Sequence, residues 1–199
     1  IQKYQKGADL TMYFSAVPDV KPDAWGTFVK DDVKAGSRNE KGVGAGLYLT
    51  FKTEEGSSVN VKVGLSYTSV ENARLNLESS ISDWNFEQVK KNATERWNKE
   101  LHKIEIKSDD VNNELLTVFY TALYHTMVSP NLFSDVNGSY LGRDFKEHKT
   151  EHDYYTVFSL WDTYRALHPL FNIIQPSRNV DMIKSMLAHY SQSVHKMLP

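Results

Sequence analysis

The sequence predicts an α+β multidomain chain, in which part of an antiparallel β-sandwich is followed by helices. Two observations carry this. Up to Tyr67 the apolar residues alternate in period 2 between turn signals, as in Leu47, Leu49 and Phe51 and again in Val59, Val61 and Val63. That is the pattern of half-buried strands. Beyond Ser69 they recur every three or four positions, as in Phe86, Val89, Ala93 and Trp97, the pattern of one helix face. The change of period near Ser69 is the predicted domain boundary.

The strands come first. Leu10–Ala16 and Trp25–Val29 are short β-runs, with turn chemistry at Pro18 and Pro22 between them. Ala35 to Gly44, rich in Gly, Ser, Asn and Lys, reads as an exposed loop or hairpin tip. Gly46–Phe51 and Val59–Tyr67 complete four strands, too few for a whole sandwich.

The helices follow. Ser69 is placed to cap Val70–Leu77, and Asp83 to cap a second helix striped by Phe86, Val89, Ala93, Trp97, Leu101 and Ile104. Core packing is the expectation for Trp84 and Trp97. Ile104-Glu105-Ile106 alternates for a strand's length and ends at Ser108-Asp109-Asp110. A helix from about Asn112 presents Leu115, Leu116, Phe119, Leu123 and Met127. Leu170, Ile173 and Ile174 form an apolar face ending at Pro176. Ser177 is placed to cap a last helix striped by Val180, Ile183, Met186, Leu187 and Tyr190, so that the final two helices make an αα-hairpin.

Composition excludes several chemistries. At 199 residues the chain can bury a sizeable core. It has no cysteine, so disulfides, thiolate zinc sites and a cysteine nucleophile are excluded. Its net charge of -2, with no block of like charge, gives no electrostatic case for nucleic acid or an anionic membrane. No apolar run approaches the ~18 residues of a membrane-spanning segment. The start at Ile1 and the abrupt end at Met197-Leu198-Pro199 read as a piece of a longer protein. Dinucleotide, P-loop, Gly-x-Ser-x-Gly and His-Glu-x-x-His motifs are all missing.

Four local patterns invite a functional reading. Asn92-Ala93-Thr94 and Asn137-Gly138-Ser139 match the glycan acceptor pattern, which arises often by chance and supports no assignment. Asp135-Val136-Asn137-Gly138 resembles half a calcium loop, but Tyr140, Leu141 and Gly142 follow where further oxygen ligands are needed, so a tight hairpin turn between Val136 and Tyr140 is favoured. His148, His152 and Asp153 stand among polar residues, which suits a solvated loop better than a metal site. In Tyr155–Leu170 a β-type run turns helical near Asp162, before Pro169. Trp161 and Asp162 meet at that switch. A Trp beside a carboxylate can be a sugar platform with a hydroxyl acceptor; the competing reading is a buried Trp beside an N-capping Asp.

The run Val157-Phe158-Ser159-Leu160-Trp161-Asp162-Thr163-Tyr164-Arg165-Ala166-Leu167-His168-Pro169-Leu170, with Gln175-Pro176 after it, closely resembles family 92 of the glycoside hydrolases, the calcium-dependent exo-acting α-mannosidases. The resemblance extends through Phe119–His125, Phe133–Gly138, Gly64–Ala73 and Asn76-Leu77. It implies that residues 1–68 close an N-terminal β-sandwich, 69–111 form a helical linker and 112–199 begin an (α/α)6 barrel. It implies hydrolysis of terminal α-mannosides, α-1,2 linkages foremost, with inversion. In that chemistry one carboxylic acid and one carboxylate stand ~6.5–9.5 Å apart.

By the same resemblance the general acid, the general base and most calcium ligands fall beyond Pro199, leaving this chain without a catalytic carboxylate or a metal ligand. Trp161 then forms a wall of the mannose subsite, Asp162 accepts a sugar hydroxyl, and Arg165 orients Asp162 by a charge-assisted bond. His168 is structural. The implied partner is an α-mannoside glycan or mannan, met in a secreted, periplasmic or cell-surface setting. The rival expectation is a catalytically silent carbohydrate-binding or scaffolding piece. A sandwich-plus-helices interaction protein unrelated to the family is disfavoured by the extent of the match.

Overall fold

The computed structural model describes residues 10–107 and 113–198. The chain divides into a unit spanning Ala16–Val63 and a second unit taking the segments on either side of it. The predicted end of a strand at Ser108-Asp109-Asp110 and the start of a helix at Asn112 lie outside the described residues.

Before the first helix the described strands are β1 (Tyr13–Pro18), β2 (Ala24–Val29), β3 (Asp32–Ala35), β4 (Ala45–Thr50) and β5 (Val61–Ser66). β1 pairs with β5, and β3-β2-β4 make a three-stranded sheet that is antiparallel throughout. β3 was not foreseen, because all four of its residues are exposed and only Val33 is strongly apolar. Backbone pairing with β2 makes it a strand, with Val29 opposite Asp32 across a two-residue turn. Leu47 and Leu49, on the alternating face of β4, are exposed. Period alone found the strand and not its cover.

In the second unit, helices α1 (Val70–Ser80), α2 (Phe86–Leu101) and α3 (Asn113–Thr126) follow. Ser69 caps α1 as expected, its Oγ accepting from Asn72 N at 3.0 Å. The cap of α2 is Asn85 rather than Asp83, whose carboxylate accepts from Asn85 N instead. The expected core packing of α2 is corrected: none of its residues is buried. Trp97 lies 4.6 Å from the Tyr124 ring of α3 yet stays partly exposed, as does Trp84. Leu101, at the end of the α2 stripe, packs against the core.

Ile104–Ile106 is irregular, not a strand. The Ile104 carbonyl accepts from Tyr120 Oη, and its side chain packs against the core. Four short strands then form two antiparallel pairs, β6 (Asn131–Leu132) with β9 (Tyr155–Thr156), and β7 (Ser139–Leu141) with β8 (Glu147–Lys149). Three helices close the described chain, α4 (Leu160–Thr163), α5 (Leu167–Ile174) and α6 (Pro176–Gln192). The core is Leu123, Tyr155, Phe171, Ile174 and Met182, with Phe119, Tyr120, Met127 and Phe158 packed against it.

Two helix faces differ from expectation. In α5 the buried residues are Phe171 and Ile174, while Ile173 is exposed. In α6 the predicted stripe of Val180, Ile183, Leu187 and Tyr190 is exposed, and only Met186 of the five is buried. The buried face instead carries Asn179, Met182, Ser185, Met186 and His189. It tolerates Asn179 and Ser185 because each has a partner. Asn179 accepts from the His168 ring at 2.7 Å and donates to Asn172 Oδ1 at 2.7 Å. Ser185 Oγ accepts from Tyr155 N and donates to the Asp181 carbonyl. The cap expected from Ser177 is also replaced: α6 begins at Pro176 straight after Gln175, with no side-chain cap.

Candidate functional site

The switch predicted near Asp162 is present. β9 is fixed by its ladder to β6 and by Ser185 Oγ on Tyr155 N. One residue later Val157 adopts φ 64°. A β-branched residue in the left-handed region costs about 1–3 kcal/mol and persists only where its surroundings over-determine it. Phe158 then turns inward against the core and the His189 ring. Ser159 starts the single turn of α4, which carries Trp161 and Asp162.

Trp161 is 84% exposed, so the buried-Trp reading fails. Asp162 is not the cap either. Ser159 holds that position, and its hydroxyl donates a short hydrogen bond to the Asp162 carboxylate. The expected orienting bond from Arg165 is corrected: Arg165 Nε donates to Tyr164 Oη and its guanidinium lies 5.1 Å from that ring. Among the described residues no ion pair joins Arg165 to Asp162. Stacking on the adjacent Tyr draws Arg165 aside, while Ser159 is nearer the carboxylate along the helix turn. Trp161, Asp162 and Arg165 therefore share one exposed segment, with Asp162 held by a hydroxyl rather than by a cation. His168 joins α5 to α6 through Asn179, and its Nε2 is buried without a partner.

Beneath the switch runs a stack of rings. Tyr140 and Tyr154 lie 3.7 Å apart, Phe133 reaches Tyr154 and Tyr67, and His189 lies 5.6 Å from Tyr154. Burial raises the Tyr154 hydroxyl above the ordinary tyrosine range, with Tyr140 adding to the effect. Burial, reinforced by Arg143, lowers His189 to about 4. The native state thus resists a proton that the unfolded chain accepts at about 6.5. Stability is full above that pH and falls as pH drops from about 6.5 toward 4, by about 2 kcal/mol at pH 5. Urea unfolding of the wild-type protein against His189→Phe at pH 7.5 and pH 5 reads this, the wild type losing more. Equal losses would remove His189 as the cause.

His148 and His152 do not stand in a solvated loop. His148 lies in β8 opposite Tyr140, and its Nε2 pairs with Asp144 at 2.9 Å, holding that carboxyl below the usual range. His152 Nδ1 bonds Thr150 Oγ1 at 2.6 Å. Asp135 and Asn137 form a tight turn as expected, Gly138 N donating to the Asp135 carbonyl, but the turn leads into β7 rather than joining two strands. Asp135 is not a free calcium ligand. Its Oδ2 accepts from Ser66 and Thr68 at 2.9 and 2.5 Å, and its Oδ1 from Asn76 at 2.7 Å. Among the described residues no group of three or more His, Asp or Glu could hold a metal ion. Sequence reasoning missed Val157, His189 and the Asp135 partners. Only Asp135 carried a local signal, in its turn motif.

The model of the glycosyl hydrolase family 92 N-terminal domain matches residues 1–66, and that of the family 92 catalytic domain matches residues 72–199. A family 92 α-mannosidase from Bacteroides thetaiotaomicron superposes with TM-score 0.81 at 34% identity, over 94% of this chain and 26% of that one. Its complex with mannoimidazole gives 0.80 at 35%, over 94% and 25%. A family 92 inverting mannosidase from Bacteroides thetaiotaomicron VPI-5482 gives 0.83 at 26%, over 93% and 25%. An uncharacterized secreted glycosidase from Arthroderma benhamiae is 31% identical over 125 residues, 61% of this chain and 15% of that protein. The chain thus spans about a quarter or less of the length of these relatives. With antiparallel sheets followed by the first helices of a helical catalytic domain, it belongs to glycosyl hydrolase family 92.

Proposed function

We propose that the protein is part of an exo-acting α-mannosidase that hydrolyses terminal α-mannosidic linkages, α-1,2 foremost, with inversion. Trp161, Asp162 and Arg165 line the mannose subsite. The observation that carries this is an indole 84% exposed beside an exposed carboxylate on one turn of helix. An aromatic face is a platform for the apolar face of a pyranose, and a carboxylate is a strong hydroxyl acceptor. The relative solved with mannoimidazole supports a mannoside as the ligand. Arg165, stacked on Tyr164, supplies donors at the rim.

The proton transfers and the calcium dependence belong, in this reading, to residues outside this chain. It acts on glycans or mannan in a secreted, periplasmic or cell-surface setting. The division into a sandwich portion at 1–68, a linker at 69–111 and the start of an (α/α)6 barrel at 112–199 is part of the same proposal.

The full-length protein is expected to release mannose from an α-1,2-linked mannobiose and to stop when calcium is chelated. Asp162→Asn should lower kcat/KM by about 10- to 100-fold, the worth of one charge-assisted hydrogen bond. Absence of mannose release from α-1,2-, α-1,3-, α-1,4- and α-1,6-linked substrates alike would sink the activity. In that case retention of mannose on a column of the immobilised protein would favour a silent carbohydrate-binding piece.

A further inference from the structure

We infer that Ser159 is a positioning residue for the mannose subsite: its hydroxyl takes Asp162 Oδ2 and so leaves Oδ1 as the oxygen that accepts one sugar hydroxyl. This rests on the reading of Asp162 given above. An aspartate alone does not fix its acceptors, because the terminal torsion of a carboxylate is broad and roughly two-fold. Something has to hold it. A cation would do so, but Arg165 is engaged elsewhere, with Nε on Tyr164 Oη. The group in place is the Ser159 hydroxyl, which donates to Oδ2. Among the described residues Oδ1 has no hydrogen-bond partner.

The donor is itself held. The Ser159 carbonyl accepts from Asp162 N at 3.1 Å, from Thr163 N at 3.2 Å and from Thr163 Oγ1 at 2.9 Å. Residues 159 and 162 therefore move as one turn, and the hydroxyl reaches the carboxylate from backbone already tied to it. A serine in the capping position ordinarily uses its oxygen to accept from an amide of the first turn. Ser159 makes no such bond. Its hydroxyl is committed to Asp162 and not to the helix. Both residues are exposed, so the bond competes with water and contributes little to folding. What it supplies is the setting of the two carboxylate oxygens.

The test uses the full-length protein with an aryl α-mannoside and its 2-, 3-, 4- and 6-deoxy forms. It reads kcat/KM for the wild type, Ser159→Ala, Ser159→Thr and Asp162→Ala. Asp162→Ala is expected to lose its effect on one deoxy substrate, the one lacking the hydroxyl that Oδ1 accepts. Ser159→Ala is expected to lower kcat/KM about three- to tenfold on the parent mannoside and less than about twofold on that same deoxy substrate, the coupling of a residue that acts through Asp162. Ser159→Thr keeps the hydroxyl and is expected to stay within about twofold of the wild type. An equal Ser159→Ala loss on every substrate overturns the inference, because a fault of folding acts that way. A loss that vanishes on a different deoxy form also overturns it, by making Ser159 a direct sugar ligand. So does Ser159→Ala without loss, or Ser159→Thr behaving like Ser159→Ala. These results leave the subsite reading standing if Asp162→Ala stays selective. Asp162→Ala without loss, or with equal loss on all the substrates, overturns both.

Discussion

Asp135→Ala is expected to cost the protein about 2–4 kcal/mol in urea unfolding. The carboxylate is 6% exposed and accepts three side-chain donors, from Ser66, Thr68 and Asn76. Ser66 lies at the end of β5, Asn76 in α1 and Asp135 before β7, so one residue ties three elements of the unit. Two further bonds depend on the same placement, Val136 N to Asn76 Oδ1 at 2.9 Å and Asn137 Nδ2 to Asn72 Oδ1 at 2.9 Å. Alanine removes the acceptor and leaves three donors facing each other in a part-buried site. Asp135→Asn keeps one oxygen for Asn76 and sets an amide against two hydroxyls, which can turn to accept, so a loss of about 1–2 kcal/mol is expected. A loss below about 1 kcal/mol for the alanine variant would show that water replaces the carboxylate and that the three elements are held otherwise.

The parts of this structure that were legible in the sequence are those decided within one or two turns of chain. Ser69 caps α1 because its hydroxyl reaches an amide three residues on. Asp135-x-Asn137-Gly138 turns because Asn137 Oδ1 accepts from Ser139 N and Gly138 takes φ 81°. The side-by-side Trp161 and Asp162 were visible for the same reason. What failed was decided by contacts distant in sequence. The apolar stripe of α6 is a sound periodicity, yet the buried face is the polar one, since His168 and Tyr155 supply partners for Asn179 and Ser185. The stripe of α2 reads as core, yet among the described residues of α2 none is buried and Leu101, at its end, packs against the core. Val157 was invisible in a different way. Valine argues for extended backbone, and its left-handed φ comes from anchors on both sides that no local rule encodes.

Gly64→Ala tests the same joint from the other side, and its sign has to be decided by magnitude. Gly64 does not occupy the left-handed region, so alanine would ordinarily stabilise by about 0.4–1 kcal/mol through the unfolded chain. Space decides otherwise. A Cβ at this position would lie 2.1 Å from the Ala73 carbonyl oxygen and 2.7 Å from Leu77 Cβ. Ala73 and Leu77 are the two buried residues of α1, the seat of the helix on β5. Backbone cannot rotate away as the end of a long side chain can, so α1 must lift by roughly an ångström, at a net cost of about 2–4 kcal/mol. Lifting α1 also moves Asn72 and Asn76 off the Asp135 turn. The two losses therefore overlap. Gly64→Ala and Asp135→Ala together should cost about 1–2 kcal/mol less than the sum of the singles in a double-mutant cycle read by urea unfolding. Strict additivity would mean that helix seating and turn attachment are independent, and that α1 absorbs the extra methyl without shifting toward solvent.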